Sequence, residues 1–238
     1  CPVRAEAISP SLASPGETLA QHVLRMLQQW AAVEERMAPS LVRLFDEQPE
    51  DLVPMVVRCH DVGKLTRLWQ RQIREKPDGW KPPHAALGAA FLWAVSEGES
   101  RDARNAAAFA IAIHHVDRGL VGSNIDAPAT QAVMSGIVDD SGRVRWHEDA
   151  PTAMADIGLR PDDLARVDLN TMDAMARELR QWSRGGSYLS MHRTRMLASA
   201  LHQCLKVCDI RAAAQRPGDF DATEHAWMRD ILEGGLLA

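Results

Sequence analysis

The chain has 238 residues, 46% apolar and 25% charged, with a net charge of −5, so it can bury an ordinary core but is no bulk electrostatic binder of nucleic acid; such binding would need a local patch or metal ions. Low aromatic content, a single Tyr and few β-branched runs lean all-α. No apolar run approaches the roughly 20 residues of a membrane span, the N-terminus lacks the apolar stretch of a signal peptide, and Cys1, Cys59, Cys204 and Cys208 lie in apolar segments without zinc-ribbon spacing, as in a reduced, cytoplasmic protein.

Taken in chain order, "SPGETLAQHVLRMLQQWAAVEERM" predicts a helix capped by Ser14, with Pro15 in its first turn and Glu17 completing a capping box. Leu19, Val23, Met26, Leu27, Trp30 and Val33 form its apolar face, and His22 falls on or beside that face. "EDLVPMVVRCHD" reads as a short buried helix with Gly63 placed to end it. "GKLTRLWQRQIREK" is amphipathic: Leu65, Leu68, Trp69, Gln72 and Ile73 share one side, and Lys64, Arg67, Arg71 and Arg74 another. "KPPHAALGAAFLWAVSEG" predicts a helix with His84 in its first turn, a core face of Leu87, Phe91, Leu92 and Val95, and Gly98 as its stop.

"SRDARNAAAFAIAIHH" is an Ala-rich helix ending at His114 and His115, followed by a loop over "VDRGLVGSNIDAPA". Residues 131–160 read as an exposed excursion with a turn at Ser141-Gly142. Helices follow at "NTMDAMARELRQW", stopped by Gly185 and Gly186, and across "SYLSMHRTRMLASALHQCLKVCDIRAAAQ", where Leu197, Leu201, Cys204, Leu205 and Cys208 lie beside Asp209. "TEHAWMRDILEG" predicts a short terminal helix. The expectation is one domain over 1–238, with its core at about 14–215 and a last helix in 216–238.

His22, His60, Asp61, His84, His114, His115 and Asp209 all sit within or at the ends of apolar helices. Buried polar side chains need partners. A metal centre satisfies all of them together, and neutral imidazoles with carboxylates suit first-row divalent ions. Taken singly, each has a plainer reading: a lone His on an apolar helix is usually a core residue, and Asp209 can pair with Arg211. The row of Lys64, Arg67, Arg71 and Arg74 is either a solvated helix face or a track for nucleic acid; Trp69 and Trp80 could stack bases, although Trp69 falls on the core side. His147, His192, His202 and His225 match no motif and read as surface or packing residues.

The pieces "LAQH", "HDVGKLTRLWQ", "HAALGA", "AIHH" and "CDIRAA", running in that order from residue 19 to 213, resemble the HD superfamily and, within it, the HD nuclease of type I CRISPR interference. The resemblance implies a helical HD fold around two divalent metal ions (manganese, nickel, cobalt, iron or magnesium). His22, His60, Asp61 and Asp209 would hold the first; Asp61, His84, His114 and His115 would hold the second. Lys64 would stand at the scissile phosphate, and Arg211 would contact phosphate or brace the site.

The implied reaction is hydrolysis of single-stranded DNA. Having no Gly-rich phosphate loop, the chain would depend on a CRISPR helicase, in trans or fused, and on an RNA-guided surveillance complex that exposes the strand. An HD phosphohydrolase of nucleotides or cyclic dinucleotides is the alternative. Against it, Val116 rather than an acidic residue follows the His pair, and no Gly-Tyr-Pro is present. A third reading is a non-catalytic module with a relic site, against which all the ligand positions are intact.

Overall fold

In a computed structural model, residues 9–45, 51–115 and 121–215 are described. The expected all-α fold is observed, with one small hairpin added. Strands β1 (Leu12–Ser14) and β2 (Glu17–Thr18) pair antiparallel, with Leu12 opposite Thr18. Ten helices follow among the described residues: α1 (Leu19–Phe45), α2 (Leu52–Cys59), α3 (Arg67–Glu75), α4 (Ala85–Val95), α5 (Arg101–Ala112), α6 (Val121–Asp126), α7 (Pro128–Met134), α8 (Ala150–Asp156), α9 (Leu169–Arg184) and α10 (Tyr188–Ala214). Two 3-10 turns, Val62–Leu65 and Pro161–Arg166, complete the order.

The first helix starts later than its sequence suggests. Pro15 and Gly16 make the hairpin turn, with Gly16 at φ 77°, a left-handed conformation that glycine adopts without strain. Ser14 therefore caps nothing; its hydroxyl donates to Glu17 at 2.9 Å. The capping box is displaced to Thr18 and Gln21, whose side chains each accept from the other's backbone N–H, at 3.2 and 3.0 Å. From there α1 buries Leu19, Val23, Met26, Trp30 and Val33 as its period requires, and it continues past Met37, with Pro39 inside it.

Helix α4 lies at the centre, packed on α5, α2, α9 and the first 3-10 turn. It is buried on every side rather than along one face, because Ala85, Ala86, Gly88, Ala89, Ala90 and Ala94 let neighbours approach all round. Two glycines set that approach. A Cβ on Gly88 would stand 2.5 Å from the His60 carbonyl oxygen, and one on Gly63 would stand 2.3 Å from that of His84. Gly63 thus does not end a helix by a left-handed turn. It sits inside the 3-10 turn and lets the backbone at His84 close onto it.

Residues 131–160 are not an exposed excursion. Ile137, Val138, Val144, Ala150, Ala153, Met154, Ile157 and Leu159 join the core, and the expected turn is present, with Asp139 accepting from Ser141 and Arg143. The segment pairs with the chain just after Lys64: Arg67 N–H donates to the Arg145 carbonyl at 2.9 Å, and His147 N–H to that of Leu65 at 2.8 Å. The stretch after His115 is also more helical than expected, since α6 and α7 occupy 121–126 and 128–134. The predicted terminal helix, with His225, lies outside the described residues. Among the described residues no helix is long and apolar enough to cross a membrane.

Gly88→Ala should destabilise the fold by about 1–3 kcal/mol, because backbone rather than a flexible side chain blocks the new methyl. Gly98→Ala, with nothing within 4 Å of the added carbon, should stay within about 0.5 kcal/mol. Urea unfolding of both variants measures this; equal midpoints would contradict the close contact.

Candidate metal centre

Asp61 is the hub. It follows α2 at the entry to the 3-10 turn, only 1% exposed, with imidazoles on both sides of its carboxylate. Oδ2 lies 3.2 Å from His60 Nε2, 3.7 Å from His22 Nε2 and 2.6 Å from Lys64 Nζ. Oδ1 lies 3.2 Å from His84 Nε2 and 3.9 Å from His114 Nε2. His115 reaches the second group through His84, Nε2 to Nε2 at 2.9 Å, and Asp209 reaches the first through His22 Nε2 at 3.3 Å. Two sets of donor atoms, His22–His60–Asp61 and His84–His114–His115, are each gathered within 4.8 Å. All seven acids and imidazoles singled out in the sequence therefore meet in one place.

The rings are aimed by groups behind them. His60 Nδ1 donates to the Val57 carbonyl at 2.7 Å and His114 Nδ1 to that of Ile111 at 2.6 Å, which leaves each Nε2 lone pair facing inward. His22 Nδ1 lies 3.3 Å from Glu17 Oε1, a buried carboxylate also held by Ser14 and Arg25. The hairpin exists at this end of α1 to deliver Glu17, which the sequence pattern disguises as a capping residue. Gln70, fully buried, donates to the carbonyls of Lys64 and Leu12 at 2.8 Å each and accepts from Leu12 N–H, fastening the Lys64 turn to the hairpin. Lys206 and Asn124 donate to the carbonyls of His114 and Ala112, pinning the end of α5.

Electrostatics sort the cluster into charged and neutral members. Burial would raise the Asp61 pKa, but His60 and Lys64 beside it outweigh burial and hold it well below the usual carboxylate range. Asp209 is likewise lowered, burial being overcome chiefly by His22. Burial pushes His84 down and takes His114 down to about 3; His115 falls too, from burial and from His114 and His84. Burial also opposes charge on His22, yet its bonds to Asp209 and Glu17 leave its pKa raised.

The donor set fits divalent cations. His60 Nε2 and His114 Nε2 are buried and, among the described residues, have no hydrogen-bond partner. Leaving such a polar atom dry and unpaired costs about 1–3 kcal/mol. A mixed set of imidazole nitrogens and carboxylate oxygens satisfies the preferences of first-row ions.

The other candidates divide. Lys64 is buried, not on the solvent side of α3; its ammonium lies 5.3 Å from the Trp69 ring, which packs edge-on against His84 at 4.8 Å. A pocket of about 300 Å³ opens over the cluster, walled by Lys64, Trp69, Pro82, Pro83, Asn124 and Asp209. Arg211 is half-buried two residues beyond Asp209 and does not line that pocket. Arg67 and Arg71 lie in a different groove, away from the cluster. Trp80 is exposed, His192 meets Tyr188 edge-on at the surface, and Asp126 pairs with Arg184.

A family model described as "Cas3, HD domain" matches residues 18–198. The CRISPR-associated endonuclease Cas3-HD of Pyrococcus furiosus is 24% identical over 226 residues, covering 86% of this chain and 91% of its own length. The protein of the same name from Methanocaldococcus jannaschii is 22% identical, covering 87% and 90%. A solved CRISPR-associated Cas3 HD domain protein from Methanocaldococcus jannaschii superposes with TM-score 0.62 at 17% identity, over 83% of this chain and all of that one, which shows the shared fold. The chain belongs to the Cas3 HD domain family. Asp209 lies past the matched segment, so its place beside His22 rests on the geometry alone.

The metal-free protein should lose stability as pH falls from 6.5 towards 3, since unfolded histidines take protons that His84, His114 and His115 refuse while folded. Asp61 and Asp209, also lowered, add a further loss below their ordinary 3.8. His22 runs the other way: its contribution is present below 6.5 and fades as pH rises through its raised folded value. Urea midpoints in chelator across this range test the sign. His114→Gln should flatten the slope between 3 and 6.5, and an unchanged slope would contradict the assignment.

Proposed function

We propose that this Cas3 HD domain is a divalent-metal-dependent nuclease that hydrolyses phosphodiester bonds of single-stranded DNA in CRISPR interference. The observation that carries the reading is Asp61, a buried carboxylate whose two oxygens face two separate groups of imidazoles. His22, His60, Asp61 and Asp209 would hold one ion, and Asp61, His84, His114 and His115 a second. When bound, such ions supply Lewis acidity towards phosphoryl oxygens and acidify water.

The chain's own residues do the remaining work. Lys64, at the base of the pocket and 2.6 Å from Asp61, offers a fixed positive charge to a phosphate entering above it. Trp69 and His84 pack edge-on in the pocket wall, and Pro82 and Pro83, which carry no backbone N–H, line the same pocket. The proposed substrate is an unpaired strand, one phosphate of which would seat in the pocket of about 300 Å³ over the cluster. The strand must then be exposed by other machinery, for which a CRISPR helicase, in trans or fused, and an RNA-guided surveillance complex are the proposed partners. The small pocket volume favours one second reading, hydrolysis of a mononucleotide; product analysis separates the two.

The purified protein with manganese, nickel or cobalt should open circular single-stranded DNA. Asp61→Ala should abolish this, and Lys64→Ala should lower the rate about 10²-fold. Gel assays over a metal series measure it; DNA left intact with every metal would overturn the reading.

A further inference from the structure

Helix α3 has two working sides. One carries Trp69 towards the metal centre. The other, with residues 136–148, walls a groove of about 760 Å³ that shares neither Lys64 nor any of the histidines of the metal centre. Arg67, Arg71, Arg74 and Arg145 line it against a single carboxylate, Glu148, in a chain whose net charge is −5. Positive charge is therefore concentrated here against the trend of the molecule.

The four guanidiniums are held differently. Arg67 donates to the Trp146 carbonyl at 3.1 Å and pairs with Glu148 at 2.8 Å. Arg74 donates to the backbone and side chain of Gln70 and to the Pro10 carbonyl. These two are fixed in place by the fold. Arg71 and Arg145 are exposed, and among the described residues neither makes an ion pair within 4.0 Å. Arg67, Arg71 and Arg74 fall at i, i+4 and i+7 on one helix, a line about 10 Å long. A row of that length suits an extended polyanion better than one phosphate.

The backbone connects the groove to the chemistry. Arg67, Arg145 and His147 of its lining belong to the pairing of residues 65–67 with 145–147, which starts one residue after Lys64. Arg67 is three residues on from Lys64, at most about 11 Å of chain. A strand whose phosphate lies over Lys64 could therefore continue round α3 onto the arginines of the groove.

We infer that this groove is a second, metal-independent site for a phosphodiester backbone, gripping the strand beside the point where it would be cut. Its lining offers guanidiniums and no Trp, Tyr or Phe, so it holds phosphates without reading bases. The choice of nucleic acid as the polyanion rests on the nuclease reading above; the groove's charge and shape do not.

The test is binding in chelator, where cleavage plays no part. Fluorescein-labelled oligothymidylate and oligouridylate of roughly 20 nucleotides, longer than a typical single-fold site, are titrated with the full chain across a salt series. Anisotropy should show both bound, with a log–log salt slope near −2.8, at about 0.7 per phosphate contacted. Arg71→Glu with Arg145→Glu should weaken binding about tenfold or more and make the slope shallower by about 1.4, while Arg71→Lys with Arg145→Lys should restore most of it. A thermal melt controls for folding, which substitution of two exposed side chains should leave intact. Unchanged affinity and slope in the charge-reversal variant would overturn the inference, as would stronger binding of polyglutamate than of either oligonucleotide. A protein that cuts no DNA yet passes this test would retain the groove and lose the nuclease reading; one that cuts DNA with an unaffected salt slope would do the reverse.

Discussion

A single ionised carboxylate, buried to 1% exposure, organises this molecule. Taking a carboxylate out of water costs several kcal/mol unless cationic or hydrogen-bonding partners compensate. Around Asp61 the fold supplies Lys64 at 2.6 Å and imidazoles from α1, the end of α2, the entry to α4 and the segment after α5. Those helices come from distant parts of the sequence. Their common need to surround one charge explains why their polar ends converge while their apolar lengths pack together.

Convergence at this range requires backbone to approach backbone, and the two glycines at 63 and 88 permit it. The rest of the architecture serves to hold the result still. The hairpin before α1 delivers Glu17 behind His22, Gln70 bolts the Lys64 turn to that hairpin, and residues 145–147 pair with the chain on the far side of the same turn. His22, His60 and His114 are thus each backed by a second group, the arrangement that fixes ring orientation and ligand basicity in metal sites.

Much of this was legible in the sequence. Helices α9 and α10 appear where their apolar spacing puts them, α1 does so from Leu19 onward, and the ordered His and Asp motifs all meet in space. What was not legible depends on contacts between distant segments. Glu17 has the spacing of a capping residue, and only the turn at Pro15-Gly16, which starts the helix four residues later than read, turns it towards His22. Lys64 has the spacing of a solvent-facing stripe, but the 3-10 turn before α3 rotates it inward. Residues 131–160 lack periodicity because they pack as short helices, turns and bridges rather than as long elements, so their burial leaves no repeating signature. The all-round burial of α4 has a related cause: alanine carries little pattern, yet it lets other helices come close.

The proposed pair of ion sites would share Asp61. A crystal structure of the protein soaked with manganese, with anomalous scattering to count ions, tests this most directly. Two ions are expected, the first held by His22, His60, Asp61 and Asp209 and the second by Asp61, His84, His114 and His115. A single ion, or an Asp209 carboxylate turned away from the site, would contradict it.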